Sequence, residues 1–203
     1  MQEYLHIQYF TVIDICTSSL STDSEIISFA ALRFENGVPT DRFFEYVNSG
    51  VVLSDSVSDI LGITNNTLKN YGTTMEDAYW QFIEFCYDSE LVTAHYNFDM
   101  KLIERICKEY DLPVLTNHIT DLETLFRMKY NRGYSTRFAE KQLGISTDEE
   151  ADWRHLDIAG KTYIALKEPY KEENYIEQLR SCENEIERIK IQLLPQEQEN
   201  KPS

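Results

Sequence analysis

The apolar residues of this chain change period once, and that change limits the folds open to it. Up to Val47 they lie in short β-rich runs. From Met75 onward they recur at intervals of three and four. A chain that opens with strands and continues with helices and short apolar runs is best satisfied by one sheet covered by helices.

The opening runs are specific. Tyr9, Phe10, Val12, Ile13 and Ile15 predict a strand over 8–15, closed by a Ser/Thr cluster. A second apolar strand is expected over 25–34. Asn36-Gly37 tolerates positive φ and reads as a hairpin turn, with 43–47 returning as the third strand. Met75, Ala78, Tyr79, Phe82, Ile83 and Cys86 then mark a helix, 91–94 a short buried strand, and Phe98 to Tyr110 another helical stripe. Asp121 suits the N-cap of a helix through Lys129, Gly133 breaks it, 135–143 makes another closed by Gly144, and a last one is expected from about Leu156 to Lys167. The expected fold is α/β: three antiparallel strands, then parallel ones, in a mixed sheet flanked by helices.

The end of the chain differs. Tyr175, Leu179, Cys182, Ile186, Ile189 and Leu193 recur at spacings of four, three, four, three, four, a heptad seam. The division expected is a domain over 1–168, a coiled-coil-like helix over 169–195 and a polar, disordered tail over 196–203. Two arrangements are open for the seam: a homodimer or helical partner through residues 172–194, or a helix folded back on its own domain.

Charge narrows the partners. Lys and Arg number 19 against 35 Asp and Glu, a formal net charge of −16. Gripping nucleic acid by bulk positive charge is excluded, though a local basic strip or an acidic metal site is not. No apolar run is long enough for a transmembrane helix, so no membrane partner is expected. The N-terminus has no secretory pattern, and four cysteines without C-x-x-C spacing read as reduced thiols of a cytoplasmic protein.

Three separated segments carry chemistry: Asp14-Ile15-Cys16-Thr17-Ser18-Ser19-Leu20, Asn97-Phe98-Asp99, and Asp152-Trp153-Arg154-His155-Leu156-Asp157. They resemble the motifs D-x-E-T-T-G-L, N-x-x-F-D and H-x-x-x-x-D or Y-x-x-x-D of the DnaQ-like (DEDD) 3′–5′ exonucleases, a family with the ribonuclease-H-like fold. Tyr46 to Gly50, Leu61 to Thr64 and Leu143 to Ile145 resemble further stretches of that family in the same order. The resemblance covers about Tyr9 to Leu166.

It implies a phosphodiesterase site in which carboxylates hold two divalent cations, Mg²⁺ or Mn²⁺, beside a general base. Asp14, Asp99 and Asp157 match the metal aspartates; a one-residue shift of the last motif would put Ile158 in the position of Asp157. Cys16 stands in the glutamate position, where a neutral, soft thiol replaces a hard carboxylate poorly. Asp152 stands where the family has its histidine base, Trp153 where a subgroup has tyrosine, and Ser19 where the family has glycine. If the chain is active, Asp152 or His155 is the stand-in base; His155 otherwise reads as a surface or capping residue. The resemblance with these departures implies engagement of nucleic-acid 3′ ends with impaired catalysis and an assembly role. The alternative is an active exonuclease on single-stranded DNA or RNA.

One segment runs against the acidic average. Arg127, Lys129, Arg132, Arg137 and Lys141 interleave with Phe126, Tyr130, Tyr134 and Phe138. Either Arg127, Tyr130, Arg132, Tyr134 and Arg137 contact single-stranded nucleic acid through phosphates and stacking, or the aromatics pack inward and the bases face water.

Overall fold

The computed structural model describes residues 9–167, and the heptad segment expected at 172–194 lies outside them. Strands β1 (Tyr9–Thr17), β2 (Ile26–Glu35) and β3 (Val38–Tyr46) form an antiparallel meander, with Asn36 and Gly37 at positive φ in the hairpin turn. Helices α1 (Asp55–Leu61), α2 (Asn65–Tyr71) and α3 (Met75–Cys86) follow. Then come β4 (Glu90–Thr93), α4 (Tyr96–Glu109), β5 (Ile119–Asp121), α5 (Leu122–Tyr130), α6 (Thr136–Leu143) and α7 (Ala151–Lys167). The sheet runs β3-β2-β1-β4-β5, antiparallel through β1 and parallel through β4 and β5. The mixed sheet flanked by helices is the expected fold. Among the described residues no helix is long and apolar enough to cross a membrane.

Caps mark the helix starts. Ser54 accepts from the Val57 N–H, Thr64 and Thr67 form a reciprocal box, and Thr74 accepts from the Asp77 N–H. Helices α1 and α2 escape the periodicity of the sequence because they bury almost nothing: α1 no residue, α2 only Leu68. The last helix begins at Ala151, five residues before the expected Leu156.

Alternation along the strands builds two cores. Ile13, Ile15, Phe29 and Ala31 face α3 and α4 with Tyr79, Phe82, Leu102 and Ile106. Phe10, Val12, Ala30, Leu32 and Phe34 face α7 with Leu156, Ala159 and Tyr163. Since Asp14 and Cys16 continue the series 10, 12, 14, 16, both fall on the α7 face at the carboxyl end of β1.

Gly160 lets α7 lie close on the sheet. A Cβ there would meet the Phe34 ring at 2.3 Å, and that ring is already stacked on Phe10 at 4.9 Å. Gly160→Ala is therefore expected to lower stability by about 1–3 kcal/mol through overpacking, read as a lower urea midpoint at unchanged slope.

Candidate active site

The carboxyl ends of the parallel pair β1 and β4 open on one crevice, the usual position for a ligand in such a sheet. A cavity of about 530 Å³ lies there, and Asp14, Cys16, Leu20, His95, Phe98 and Asp99 are among its lining residues. A smaller polar depression shares His95 and Phe98 with it and reaches Asp121, Thr124 and Arg127.

Asp14 is partly exposed, and its Oδ2 lies 3.5 Å from His155 Nε2. Hydrogen bonding to Asp14 raises the imidazole above its usual range; burial opposes this, and the charges of Asp14 and Asp152 add to it. His155 thus covers the carboxylate from the α7 side. Cys16 is pushed up to about 11, first by burial and then by the Asp14 charge, so it stays a neutral thiol at physiological pH. A nucleophilic or metal-binding thiolate is disfavoured by the same effects.

Asp99 sits in the first turn of α4, 4% exposed, and accepts a hydrogen bond from the Thr93 hydroxyl. Burial is the main cause of its carboxyl rising to about 7; the Thr93 bond opposes the shift, and the Asp14 and Asp121 charges add to it.

Asp157 behaves differently. It is fully buried, its Oδ2 accepts from Lys161 Nζ at 2.8 Å, and Lys161 also donates to the Ser146 carbonyl at 2.8 Å. Its Oδ1 is buried with no hydrogen-bond partner among the described residues. At about 100° per helical residue, Asp157 points about 200° away from His155 around α7. The helix therefore turns His155 toward Asp14 and Asp157 away from it. Asp152, exposed in the first turn, lies close enough to His155 and Tyr46 for its charge to shift both.

Asp14, Cys16 and Asp99 thus share one cavity and His155 meets Asp14, while Asp157 is held by Lys161 on another side of α7. Motif spacing did not disclose Lys161 as the partner of Asp157, though its position four residues on was the available signal. Among the described residues no group of three His, Cys, Asp or Glu side chains is placed to hold a metal ion. The donor chemistry fits a pair of hard divalent ions poorly: a carboxylate already paired with His155, a carboxyl that burial raises to about 7, and a neutral thiol.

The basic segment takes the inward arrangement. Phe126, Tyr130, Tyr134 and Phe138 contact one another, with ring centroids 4.8–6.2 Å apart, against Ala139 and Ile158. Arg127 pairs with Glu123, Arg132 lies 3.9 Å over the Phe138 ring, and Arg137 is exposed. Tyr130 and Tyr134 therefore help build a small core, and the arginines are what this face offers to solvent.

A mixed sheet in this strand order, with acids at the carboxyl ends of its central strands, defines the ribonuclease-H-like exonuclease class. The exonuclease family model matches residues 11–158, and the chain belongs to that family, the DnaQ-like exonucleases. It is 32% identical over 102 residues to a DNA polymerase III subunit epsilon of Aquifex aeolicus, half of each chain. It is 28% identical over 182 residues to a PolC-type DNA polymerase III of Streptococcus mutans, 87% of this chain and 12% of that one. The chain thus spans a small fraction of the PolC-type relatives. In structure it resembles exonuclease X in complex with 5′ overhanging duplex DNA (TM-score 0.61, 18% identity, 77% and 90% of the two chains). It also resembles the nuclease domain of 3′hExo, a DEDDh family member bound to rAMP (TM-score 0.62, 18% identity, 79% and 90%). Exonucleases of this family normally use divalent metals.

Proposed function

We propose that this chain is an exonuclease-family domain that seats a nucleic-acid 3′ end and turns it over poorly or not at all. The observation that carries this reading is the split of the family's acids by α7: Asp14 meets His155, and Asp157 meets Lys161. Cys16, which keeps its proton, deepens the deficit. A weak or missing metal set and a displaced base each remove orders of magnitude from hydrolysis. Binding depends less on those carboxylates. The apolar wall of the cavity, with exposed Leu20 and Ile60, suits a terminal base, and the depression toward Arg127 gives a strand a path.

The test is an end-labelled single strand, DNA and RNA, incubated with Mg²⁺ or Mn²⁺. Salt-dependent binding without shortening is expected. Robust shortening abolished by Asp14→Ala would establish an active exonuclease instead. In the same preparations Cys16→Glu is expected to tighten Mn²⁺ binding about tenfold in calorimetry, because it adds a hard donor beside Asp14 and Asp99. An unchanged affinity there would mean that Cys16 is not the missing ligand.

The attachment proposed for this domain is the heptad seam at 172–194. Relatives named as DNA polymerase III chains favour work within a larger assembly. Sedimentation of the full chain against a truncation at Pro169 tests self-association, and an unchanged monomer mass removes the homodimer.

A further inference from the structure

A second groove lies at the other end of β4 from Asp99. Its volume is about 1010 Å³, and it is bounded by the end of α3, the turn into β4 and the loop before β5. Trp80, Tyr87 and Val114 stand on its walls 53%, 78% and 64% exposed. Large apolar side chains grouped on a concave surface mark contact sites more often than single exposed ones do. No step of the proposed function uses them.

The walls are fixed before anything binds. The Asn117 amide donates to the Cys86 carbonyl at 2.9 Å and the Ser89 carbonyl at 2.8 Å, tying the loop to the turn. The Tyr79 hydroxyl donates to the Pro113 carbonyl at 2.9 Å and anchors the far lip. A groove held open this way spares a ligand the cost of ordering it.

Its charge is one-sided. Glu84, Asp88 and Glu90 line it, and among the described residues the only lining group able to carry positive charge, His118, already lies 3.4 Å from Glu90. Burial opposes ionisation of Glu90, yet hydrogen bonds from Thr120 and Tyr163, with the charges of Lys167 and His118, bring its pKa below the usual value. A second copy of a chain carrying −16, an anionic membrane and a nucleic acid would all be repelled here.

We propose that this groove docks a segment of a partner protein in which one or two apolar side chains are flanked by lysine or arginine. The apolar anchors fill the space beside Trp80 and Val114, and the cations meet Glu84 and Asp88 or the faces of Trp80 and Tyr87. Because the Asp14 cavity is at the opposite end of β4, the domain can hold such a partner and a nucleic-acid end together.

The test uses the full chain carrying Trp153→Phe, so that Trp80 is its one tryptophan. Three labelled synthetic peptides are titrated at 0.15 M salt: alternating leucine and lysine, leucine and glutamate, and serine and lysine. The leucine–lysine peptide is expected to bind and move the Trp80 emission to the blue. Trp80→Ala, read by anisotropy, and the pair Glu84→Lys with Asp88→Lys are each expected to weaken it tenfold or more. Val114→Asp serves as a second apolar-wall variant, and circular dichroism checks the fold of each. Equal binding of the serine–lysine peptide, no binding of the leucine–lysine peptide, or binding that none of these changes weakens would overturn the proposal. So would concentration-dependent self-association abolished by Trp80→Ala, which would assign the face to a second copy. Nucleic-acid binding at the Asp14 cavity is a separate readout and is expected to be unchanged in these variants.

Discussion

Lys161→Met is expected to cost up to about 3 kcal/mol of folding stability, the low end of the loss when one partner of a buried ion pair is removed, because Lys161 itself is partly exposed. Asp157 is fully enclosed, one of its oxygens already lacks a partner among the described residues, and the other depends on Lys161. Without the ammonium the carboxylate stays in the interior unpaired, and the Ser146 carbonyl also loses its donor. The measurement is urea unfolding of each variant. The combined change Asp157→Leu with Lys161→Met should recover most of the loss, because an apolar pair of similar volume replaces the buried charges at little or no net cost. If Lys161→Met alone unfolds like the parent, Asp157 has another counter-charge and the account of α7 given above fails.

Asp99→Asn should stabilise the metal-free protein, and more so as pH rises. The parent's carboxyl holds its proton to about 7 when folded, against an ordinary 3.8. Between those values the folded state binds more protons than the unfolded one, so the parent loses stability as pH climbs from about 4 through about 7. A displacement of that size corresponds to about 4 kcal/mol as an upper figure. The asparagine variant carries no such term and keeps the acceptor for the Thr93 hydroxyl. In EDTA the two proteins should unfold at similar urea concentrations near pH 4 and separate by several kcal/mol at pH 8. A gap independent of pH would show that packing, not ionisation, is responsible.

Most of the frame was legible because its determinants are local. The Asn36-Gly37 turn, the Asp121 cap and the Gly144 stop all act through neighbouring backbone, so the local sequence locates them. The apolar stripes of α3 and α4 announce buried faces in the same way. Helices α1 and α2 were not legible, since helices lying on the surface carry no stripe. At the site, β1 alternation correctly aligns Asp14 with Cys16. Which way the side chains of the last motif point was not legible, because spacing alone does not fix the phase of a helix. That phase follows from where α7 begins and which residues meet the sheet: Leu156, Ala159 and Tyr163 do, and this turns His155 one way and Asp157 the other. The basic segment was undecided for a similar reason. Its aromatics could face either way, and Ala139 and Ile158 drew them inward.

The early start of α7 has a further consequence for redesign. A carboxylate at Cys16 takes one substitution, whereas a new phase for α7 does not. With Gly160 locked under the Phe34 ring, Asp157, three residues before it on the same helix, keeps its direction, so an insertion or deletion before Leu156 would move His155 and Asp152 but not Asp157. A substitution at Cys16 therefore changes the donors of the pocket without moving α7, and the lock at Gly160 decides which side chains of that helix can join them.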